Sequence, residues 1–469
     1  MKNDEQLGRQ VVGSEEAVPS GFVYLTVFAA IVALTGGASR YDEVQVVPLR
    51  FLSALLIIPA LYYLNIRIVK EGWVLFTLLI SYIFMVALQL LPLPPVLWVA
   101  PPGRDAVSEL DMLLDQAVGW RPLVMSPLRS WNVLGGVIVP TTALLLAVAF
   151  KASALTLLRL IAFLGILNAA LALFQATGFF GGGLYFYEVT NKGSPVGVFA
   201  NENHSAVFGA CSLLVVTSLG LKAYGARVSG WERFIYPIAY FLILFAALIG
   251  GSRAGLAASF GAVFVSMAML ALALNWLRAG SHSEQASRVM EGRAKAIFAC
   301  AFATVFLIAA TFIALDRAPA FQDIASQDNL SDLRLSLWSA IFQMFETHWL
   351  LGSGFGSFEQ VYKIYEPSEM LRPEYINQAH NDWAQFLIEG GLFAGFLMGA
   401  LLLWLSKAVL KLTSMPATRP DALFWMGLFL IVGAASLVDY PLRTPVFQLV
   451  MVWSALALSK DSNSLRAMR

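Results

Sequence analysis

The chain has 469 residues, of which 58% are hydrophobic and only 13% are charged, and its formal net charge is +1. This composition excludes a water-soluble globular protein and a basic nucleic-acid-binding protein, and it predicts an integral membrane protein. Apolar runs long enough to cross roughly 30 Å of hydrocarbon, about 20 residues as a helix, recur along the whole chain. No run shows the alternation of a barrel strand, so we expect an all-α membrane protein.

Hydropathy predicts about twelve transmembrane helices after a polar amino-terminal tail. The tail, residues 1–20, carries acidic as well as basic residues and lacks the basic start and cleavage site of a secretory signal, so we expect it to be retained. The spans are expected near residues 21–38, 46–64, 73–92, 132–149, 155–176, 204–222, 234–250, 253–276, 296–315, 382–406, 422–438 and 445–459.

Lys and Arg residues collect in the short connections on one side of this arrangement. Because such residues favour the cytoplasm, that side and both chain termini are predicted to be cytoplasmic. The longer connections, at 93–131, 177–203 and 316–381, then lie on the opposite, periplasmic side.

The loop at 316–381 is too long to be a passive connection. A helical pattern runs from Leu333 to Phe345, and a second short one runs from Phe358 to Tyr365. We therefore expect a large, partly helical periplasmic loop.

His380 opens a predicted span directly after this loop. An imidazole at the mouth of a span can accept a proton at the membrane surface, which makes His380 a candidate general base. The alternative is a histidine that only forms a hydrogen bond at a helix start. His204 opens another span and competes for the same role.

Two arginines are candidates for binding an anion. Arg253 follows Gly251 and Ser252 at the boundary of two spans, where an unpaired cation is costly unless it reaches water, a carboxylate or a bound anion. Backbone N–H groups at a helix start and a guanidinium both bind phosphate oxygens. Arg334 lies one turn before Trp338, so stacking on that ring is an alternative to binding a substrate.

The acidic residues give weaker signals. Glu389 is nine residues after His380, which on a helix is about 13.5 Å away and on the opposite face, so we expect it to bond a neighbouring helix. The spacing of Asp323, Asp328 and Asp332 matches no known cation-binding loop. We expect these three residues to be solvated, and we predict no metal and no cofactor.

Several short motifs follow one another along the chain: Phe199-Ala200-Asn201-Glu202-Asn203-His204-Ser205-Ala206, Gly251-Ser252-Arg253-Ala254-Gly255, Arg334 with Trp338, Gly352-Ser353-Gly354-Phe355-Gly356, and His380-Asn381 with Glu389-Gly390. In this order they resemble the O-antigen ligase and polymerase superfamily of bacterial membranes. Each motif is short, but the ordered set is fairly specific. The resemblance is concentrated between about 195 and 395.

The resemblance implies glycan transfer from undecaprenyl diphosphate to an acceptor hydroxyl at the periplasmic face of the inner membrane, with inversion and without a metal. It implies that His380 is the base and that Arg253 and Arg334 hold the donor diphosphate. It also implies that Asn201 and Asn203 line the donor site, although Glu202 stands where the family usually has proline. The implied partners are the undecaprenyl-diphosphate-linked glycan, a lipid A-core or growing polysaccharide acceptor, and membrane lipids, with no nucleic acid.

We expect five regions. These are a cytoplasmic tail at 1–20, an amino-terminal transmembrane bundle at 21–195, an O-antigen ligase-like catalytic region at 196–395, carboxy-terminal transmembrane helices at 396–459 and a cytoplasmic tail at 460–469.

Other functions stay open at this point. The same motifs fit a polysaccharide polymerase, in which another lipid-diphosphate glycan is the acceptor, and a transfer to protein is a third possibility. A transporter would instead use Arg253, Glu389 and Asp439 to line a path through the bundle. Against a transporter stand the absence of an evident repeat between the halves and the folded external loop.

Overall fold

The structure is a computed structural model, and it describes residues 19–116, 119–178, 184–225, 230–279, 330–368 and 376–467. This part of the chain is helical apart from its turns and one short ribbon, in which β1 (Pro92–Leu93) pairs antiparallel with β2 (Arg121–Pro122). The predicted all-α class is confirmed.

The first half of the chain forms helices on both sides of that ribbon. They are α1 (Pro19–Thr35), α2 (Val46–Tyr63), α3 (Ile66–Val69), α4 (Trp73–Gln89), α5 (Pro95–Val99), α6 (Asp105–Leu113), α7 (Pro127–Gly136), α8 (Ile138–Ala149), α9 (Ala154–Thr177) and α10 (Glu202–Gly225), with a 3-10 turn at Lys70–Gly72.

The second half continues with helices of very different lengths. They are α11 (Glu232–Ile249), α12 (Arg253–Ala279), α13 (Leu330–His348), α14 (Phe358–Tyr365), α15 (Asp382–Leu412), α16 (Arg419–Ala435) and α17 (Pro445–Ala467), with 3-10 turns at Pro416–Thr418 and Pro441–Arg443.

Within the described residues, eight helical stretches are long and apolar enough to cross a membrane, and α1 is a shorter apolar helix. Every predicted span except 296–315 coincides with a helix or a helix pair, while 296–315 lies outside the described residues. Helix α17 continues to Ala467, beyond the predicted end of the last span at 459. Its last turns are held by contacts of Lys460 with Glu71 and of Asp461 with Trp425.

The two helical stretches predicted in the long loop are present as α13 and α14. The loop residues 316–329 and 369–375 lie outside the described residues. Ile341, Met344, Val361 and Ile388 belong to one small apolar core, so the loop helices pack onto α15.

The core of the bundle is built around α10, which packs against α9, α11, α12 and α16 and is the most buried of the candidate spans. Small residues allow the helices to approach closely. A side chain at Gly255 of α12 would lie 2.1 Å from the Cβ of Ala206, and one at Gly165 of α9 would lie 2.3 Å from the Ser212 hydroxyl. The starts of α10 and α12 are therefore in direct contact.

The connections at 36–45, 184–201 and 436–444 meet at one end of the bundle, which we call the site end. Ala200 N–H donates to the Gly37 carbonyl at 3.2 Å, and Val446 N–H donates to the Gly36 carbonyl at 3.0 Å. At the opposite end, the Lys222 ammonium lies 3.3 Å from Asp421 and 3.7 Å from Asp461.

Helix α15 is kinked at Gly391, whose φ of +61° and ψ of −151° are not helical. The glycine-rich run before α14 supplies the hydrogen bonds that the kink leaves open. Ser353 N–H donates to the Ile388 carbonyl and Gly354 N–H to the Glu389 carbonyl, both at 2.9 Å. A Cβ at Gly391 would lie 2.6 Å from the Gly352 nitrogen. The glycines of this run and the glycine at the kink thus allow the two backbones to lie close together.

Candidate active site

His380 lies at the site end, immediately before α15, in a left-handed backbone conformation with φ +49°. This conformation is uncommon for a non-glycine residue, and residues held in it cluster at functional sites. The His380 side chain is 48% exposed, so it faces the outside of the bundle.

The residues on either side of His380 are fixed to the connection at 436–444. Asn381 caps α15, because its side-chain oxygen accepts from Ala384 N–H at 2.9 Å, and its amide donates to the Leu437 carbonyl at 3.0 Å. Asp382 N–H donates to the Ser436 carbonyl at 2.9 Å. These bonds hold the strained backbone at His380 in place.

The Asp439 carboxylate lies between two histidines. Its Oδ1 is 3.7 Å from Nδ1 of His380 and 3.6 Å from Nε2 of His204, which is within ion-pair distance but longer than a direct hydrogen bond. The same oxygen accepts from Tyr440 N–H at 2.9 Å. The Tyr440 ring meets both imidazoles edge-on, with centroid distances of 4.9 Å to His380 and 5.3 Å to His204.

Burial alone would raise the pKa of the Asp439 carboxyl, but the His204 and His380 imidazoles outweigh burial and hold its pKa well below its usual value. Asp439 is therefore an anion at neutral pH. Burial raises the pKa of Tyr440 to about 12, so its phenol stays protonated. The buried group that His380 faces is thus a fixed negative charge, which can orient an imidazole and stabilise its protonated form.

Arg443, in the same turn as Asp439, forms ion pairs with two acidic residues of α15. Its Nη2 is 3.3 Å from the Glu389 carboxylate, and its Nε is 3.5 Å from the Asp382 carboxylate. Glu389 is fully buried and also accepts from Phe358 N–H and from the Gln385 amide. Glu389 therefore bonds its surroundings in the bundle, as its spacing from His380 predicted.

Arg253 is the first residue of α12, where the Ser252 hydroxyl caps the helix by accepting from Gly255 N–H at 2.8 Å. Its side chain is exposed and has no carboxylate partner among the described residues. Because the starts of α10 and α12 touch, Arg253 lies at the site end, on the side of His204. The structure thus brings Arg253 to the same end of the bundle as His380.

Asn201 has a local structural contact, since its side-chain oxygen accepts from Asn203 N–H at 2.8 Å at the start of α10. Asn203 is partly buried in the first turn of the same helix. Arg334 lies on α13, and its side chain is outside the described part of the structure.

His204 and His348 have distinct environments. His204 is 2% exposed and contacts Asp439 from the interior, so of the two histidines only His380 is open to a substrate. His348 is buried in the loop, with Nε2 at 3.3 Å from the Tyr365 hydroxyl. Burial, together with the Arg104 charge, lowers the pKa of His348 to about 4.

Among the residues that the structure describes, no three His, Cys, Asp or Glu side chains come together as a metal-binding group. Asp323 and Asp328 lie outside the described residues, as does the side chain of Asp332.

Sequence reasoning did not assign Asp439, Tyr440 and Arg443 to the site of His380. These residues lie in a short turn that is 59 positions after the histidine. The sequence feature that could have pointed to them is the Asp439 carboxylate, which lies in a connection predicted on the same side of the membrane as His380.

Residues 238–399 match the family model of O-antigen ligases. This segment, about a third of the chain, is similar to O-antigen ligases. The match confirms the resemblance indicated by the motifs, and it includes Arg253, Arg334 and His380, whereas Asn201, His204 and Asp439 lie outside it. A comparison with curated proteins finds no significant match. With eight described helical stretches that are long and apolar enough to cross a membrane, the chain is of the multi-pass membrane type.

Proposed function

We propose that the protein transfers a glycan from undecaprenyl diphosphate to an acceptor hydroxyl at the periplasmic face of the bacterial inner membrane, as an O-antigen ligase does. The observation that carries this proposal is the contact between the half-exposed His380 imidazole and the buried Asp439 carboxylate. The family match supports the reaction class.

His380 acts as the general base. Because its Nδ1 faces Asp439, Nδ1 carries the proton and Nε2 is left as the acceptor on the far side of the ring. Nε2 takes the proton of the acceptor hydroxyl while the hydroxyl oxygen attacks the anomeric carbon of the donor. Asp439 stabilises the imidazolium that results.

The bond between the anomeric carbon and the phosphate oxygen breaks in the same displacement, so the configuration at that carbon is inverted. The lipid diphosphate leaves with the bonding electrons, and its negative charge is stabilised by Arg253 and Arg334. Charge-assisted hydrogen bonds contribute roughly 1.5–3 kcal/mol each, which corresponds to about tenfold to a hundredfold in rate for each arginine. In this proposal the arginines take the place of a metal ion.

Asn201 and Asn203 have a supporting role in this proposal. Asn201 caps α10, which carries His204 and touches the start of α12, so the two asparagines order the backbone beside Arg253. The acceptor is a lipid A-core in a ligase and another lipid-linked glycan in a polymerase, and both use this chemistry.

The deciding experiment uses purified protein, an undecaprenyl-diphosphate-linked glycan and candidate acceptors, with the products resolved by mass. Glycosylated lipid A-core supports ligation, and elongated lipid-linked glycan supports polymerisation. If neither acceptor is modified and the protein instead exchanges labelled glycan across a vesicle membrane, a transporter replaces the enzyme.

A further inference from the structure

A cavity of about 480 Å³ lies at the opposite end of the bundle, which also contains the Lys222 cluster. It is enclosed by the turn before α4, the last turns of α15 and the last turns of α17. Gly72, Ala408 and Ser462 form its buried inner wall. Small-molecule sites have volumes of roughly 300–1,000 Å³, so this cavity is large enough to hold a small polar group.

The lining of this cavity carries an excess of positive charge. Lys70, Lys407 and Lys411 line it, and none of them forms an ion pair with another described residue. Glu71 also lines the cavity, but its carboxylate is 3.5 Å from the ammonium of Lys460. Lys407 and Lys411 are one helical turn apart, so their charges repel each other. An anion in the cavity would therefore neutralise charges that the described residues leave uncompensated.

The start of α4 adds to this positive potential. Trp73, Val74 and Leu75 form the first turn of α4 and line the cavity. Gly72 precedes them, and no side chain caps the helix. The N–H groups at a helix start carry a partial positive charge and bind phosphate oxygens. The lysines and the helix start therefore both favour a phosphate group.

The cavity lies at the end of two apolar surfaces that face outward from the bundle. Phe84 of α4 and Phe396 of α15 are exposed, and both helices belong to candidate spans, so these rings face hydrocarbon. Trp73 and Lys407 are each eleven residues away on the same helix, which is three turns and about 16 Å of rise. They therefore lie on the same helix faces as the two rings, near the depth of the lipid headgroups, where Trp and Lys are typical.

We propose that this cavity binds the phosphate headgroup of an anionic phospholipid from the leaflet opposite the active site. The phosphate lies between Lys70, Lys407 and Lys411, and the hydrocarbon chains lie along the exposed faces of α4 and α15. Basic pockets between transmembrane helices are typical sites for such headgroups on the cytoplasmic side, which is the side that the distribution of Lys and Arg predicts for this end.

The bound lipid stabilises the protein and takes no part in glycan transfer. Lys70 precedes α4 and Lys407 belongs to α15, so one headgroup joins two helices, and a ligand that binds only the folded state raises its stability. A soluble phosphate offers the lysines the same oxygens. The exposed apolar faces beside the cavity favour the lipid, because its chains would cover them.

The test measures binding and thermal unfolding of the full-length protein in detergent. The protein is titrated with phosphatidylglycerol, with zwitterionic phosphatidylcholine and with soluble glycerol 3-phosphate, and bound molecules are counted by native mass spectrometry. The double variant Lys407→Gln with Lys411→Gln removes two charges, whereas Lys407→Arg with Lys411→Arg keeps them. The matched control is Lys192→Gln with Lys363→Gln, which removes two exposed lysines outside the cavity.

We expect the glutamine pair to weaken binding of the first phosphatidylglycerol roughly tenfold or more and to abolish the rise in unfolding midpoint that this lipid causes. The arginine pair, the control pair and His380→Ala should bind it as the wild type does, which separates this site from glycan transfer. Unchanged binding in the glutamine pair would overturn the proposal. Equal binding of phosphatidylcholine by the wild type would overturn it too, and equal binding of glycerol 3-phosphate would show a site for a soluble anion instead. These two wild-type comparisons decide even if the glutamine pair folds poorly.

Discussion

Both ends of the bundle carry buried charges, but the charges are arranged differently. At the opposite end, Lys222 pairs with Asp421 and Asp461, and Asp461 also accepts from the Trp425 indole at 3.1 Å. At the site end, the Asp439 carboxylate faces two imidazoles at 3.6–3.7 Å, and its Oδ2 has no hydrogen-bond partner among the described residues. The Lys222 cluster joins three helices. The Asp439 cluster instead leaves one carboxylate oxygen without a hydrogen-bond partner among the described residues.

The backbone shows the same difference. Residues of the Lys222 cluster lie in ordinary helices, while His380 is held at φ +49° by bonds on both sides. A strained residue whose side chain is half exposed and faces a buried carboxylate is typical of a catalytic group. The comparison predicts that substitutions at the site end reduce transfer and that substitutions at the opposite end reduce stability.

The largest effect is expected for His380→Ala. Removing a general base slows a reaction by about 10²- to 10⁴-fold, and this variant should insert and fold normally because the ring is half exposed. Transfer by purified protein, measured beside the thermal unfolding midpoint, checks both statements. Near-normal transfer would remove His380 from the mechanism.

A paired substitution tests the two ends directly. Asp439→Asn keeps the shape of the side chain but removes the charge that orients His380, and we expect transfer to fall about tenfold to a thousandfold. Asp461→Asn, its counterpart at the opposite end, should lower the unfolding midpoint and leave transfer per folded molecule unchanged. The same loss of transfer in both variants would contradict the division between the ends.

Arg253→Lys tests the proposed role of Arg253 in binding the donor diphosphate. An ammonium keeps the charge but cannot bind a diphosphate in the planar, bidentate manner of a guanidinium, so transfer should fall about tenfold or more. Arg159→Lys, which retains an ion pair with Glu232 at the opposite end, is the control. An equal rate in Arg253→Lys and wild type would show that any cation suffices there.

The last prediction concerns acid stability rather than transfer, and it depends on His348. Its folded pKa of about 4 is below the value near 6.5 of an unfolded chain, so only the unfolded state gains a proton between these values. Stability should therefore fall by up to about 3 kcal/mol as pH drops from 6.5 to 4. Unfolding midpoints of wild type and His348→Phe across this range check it, and the variant should lose less. Parallel curves would refute this origin of acid sensitivity.

Much of the helical layout could be predicted from the sequence, because a membrane span requires a long apolar run with few charges. The loop helices were also predictable, since Leu333, Leu337 and Ile341 repeat at helical spacing and Pro367 follows α14. The continuation of α17 past the predicted span is not visible in the sequence, because Lys460 and Asp461 break the apolar pattern and only the structure shows that they pair across the bundle.

The site was predictable only in part. His380 and Arg253 are recognisable from their places at helix starts and from the ordered motifs. Asp439 is not, because it reaches His380 through a contact between segments that are far apart in the chain. Nor does the sequence reveal that the glycine run at 352–356 fills the kink at Gly391, since that pairing depends on two backbones meeting.

The most direct test of the account is the double variant His380→Ala with Asp439→Asn, compared with each single variant for the rate of glycan transfer. If Asp439 acts by orienting and charging His380, removing it from a protein that already lacks the imidazole changes nothing, and the double variant is as slow as His380→Ala alone. If the two losses multiply instead, the carboxylate and the imidazole act independently, and the proposed base and its buried partner are not a catalytic pair.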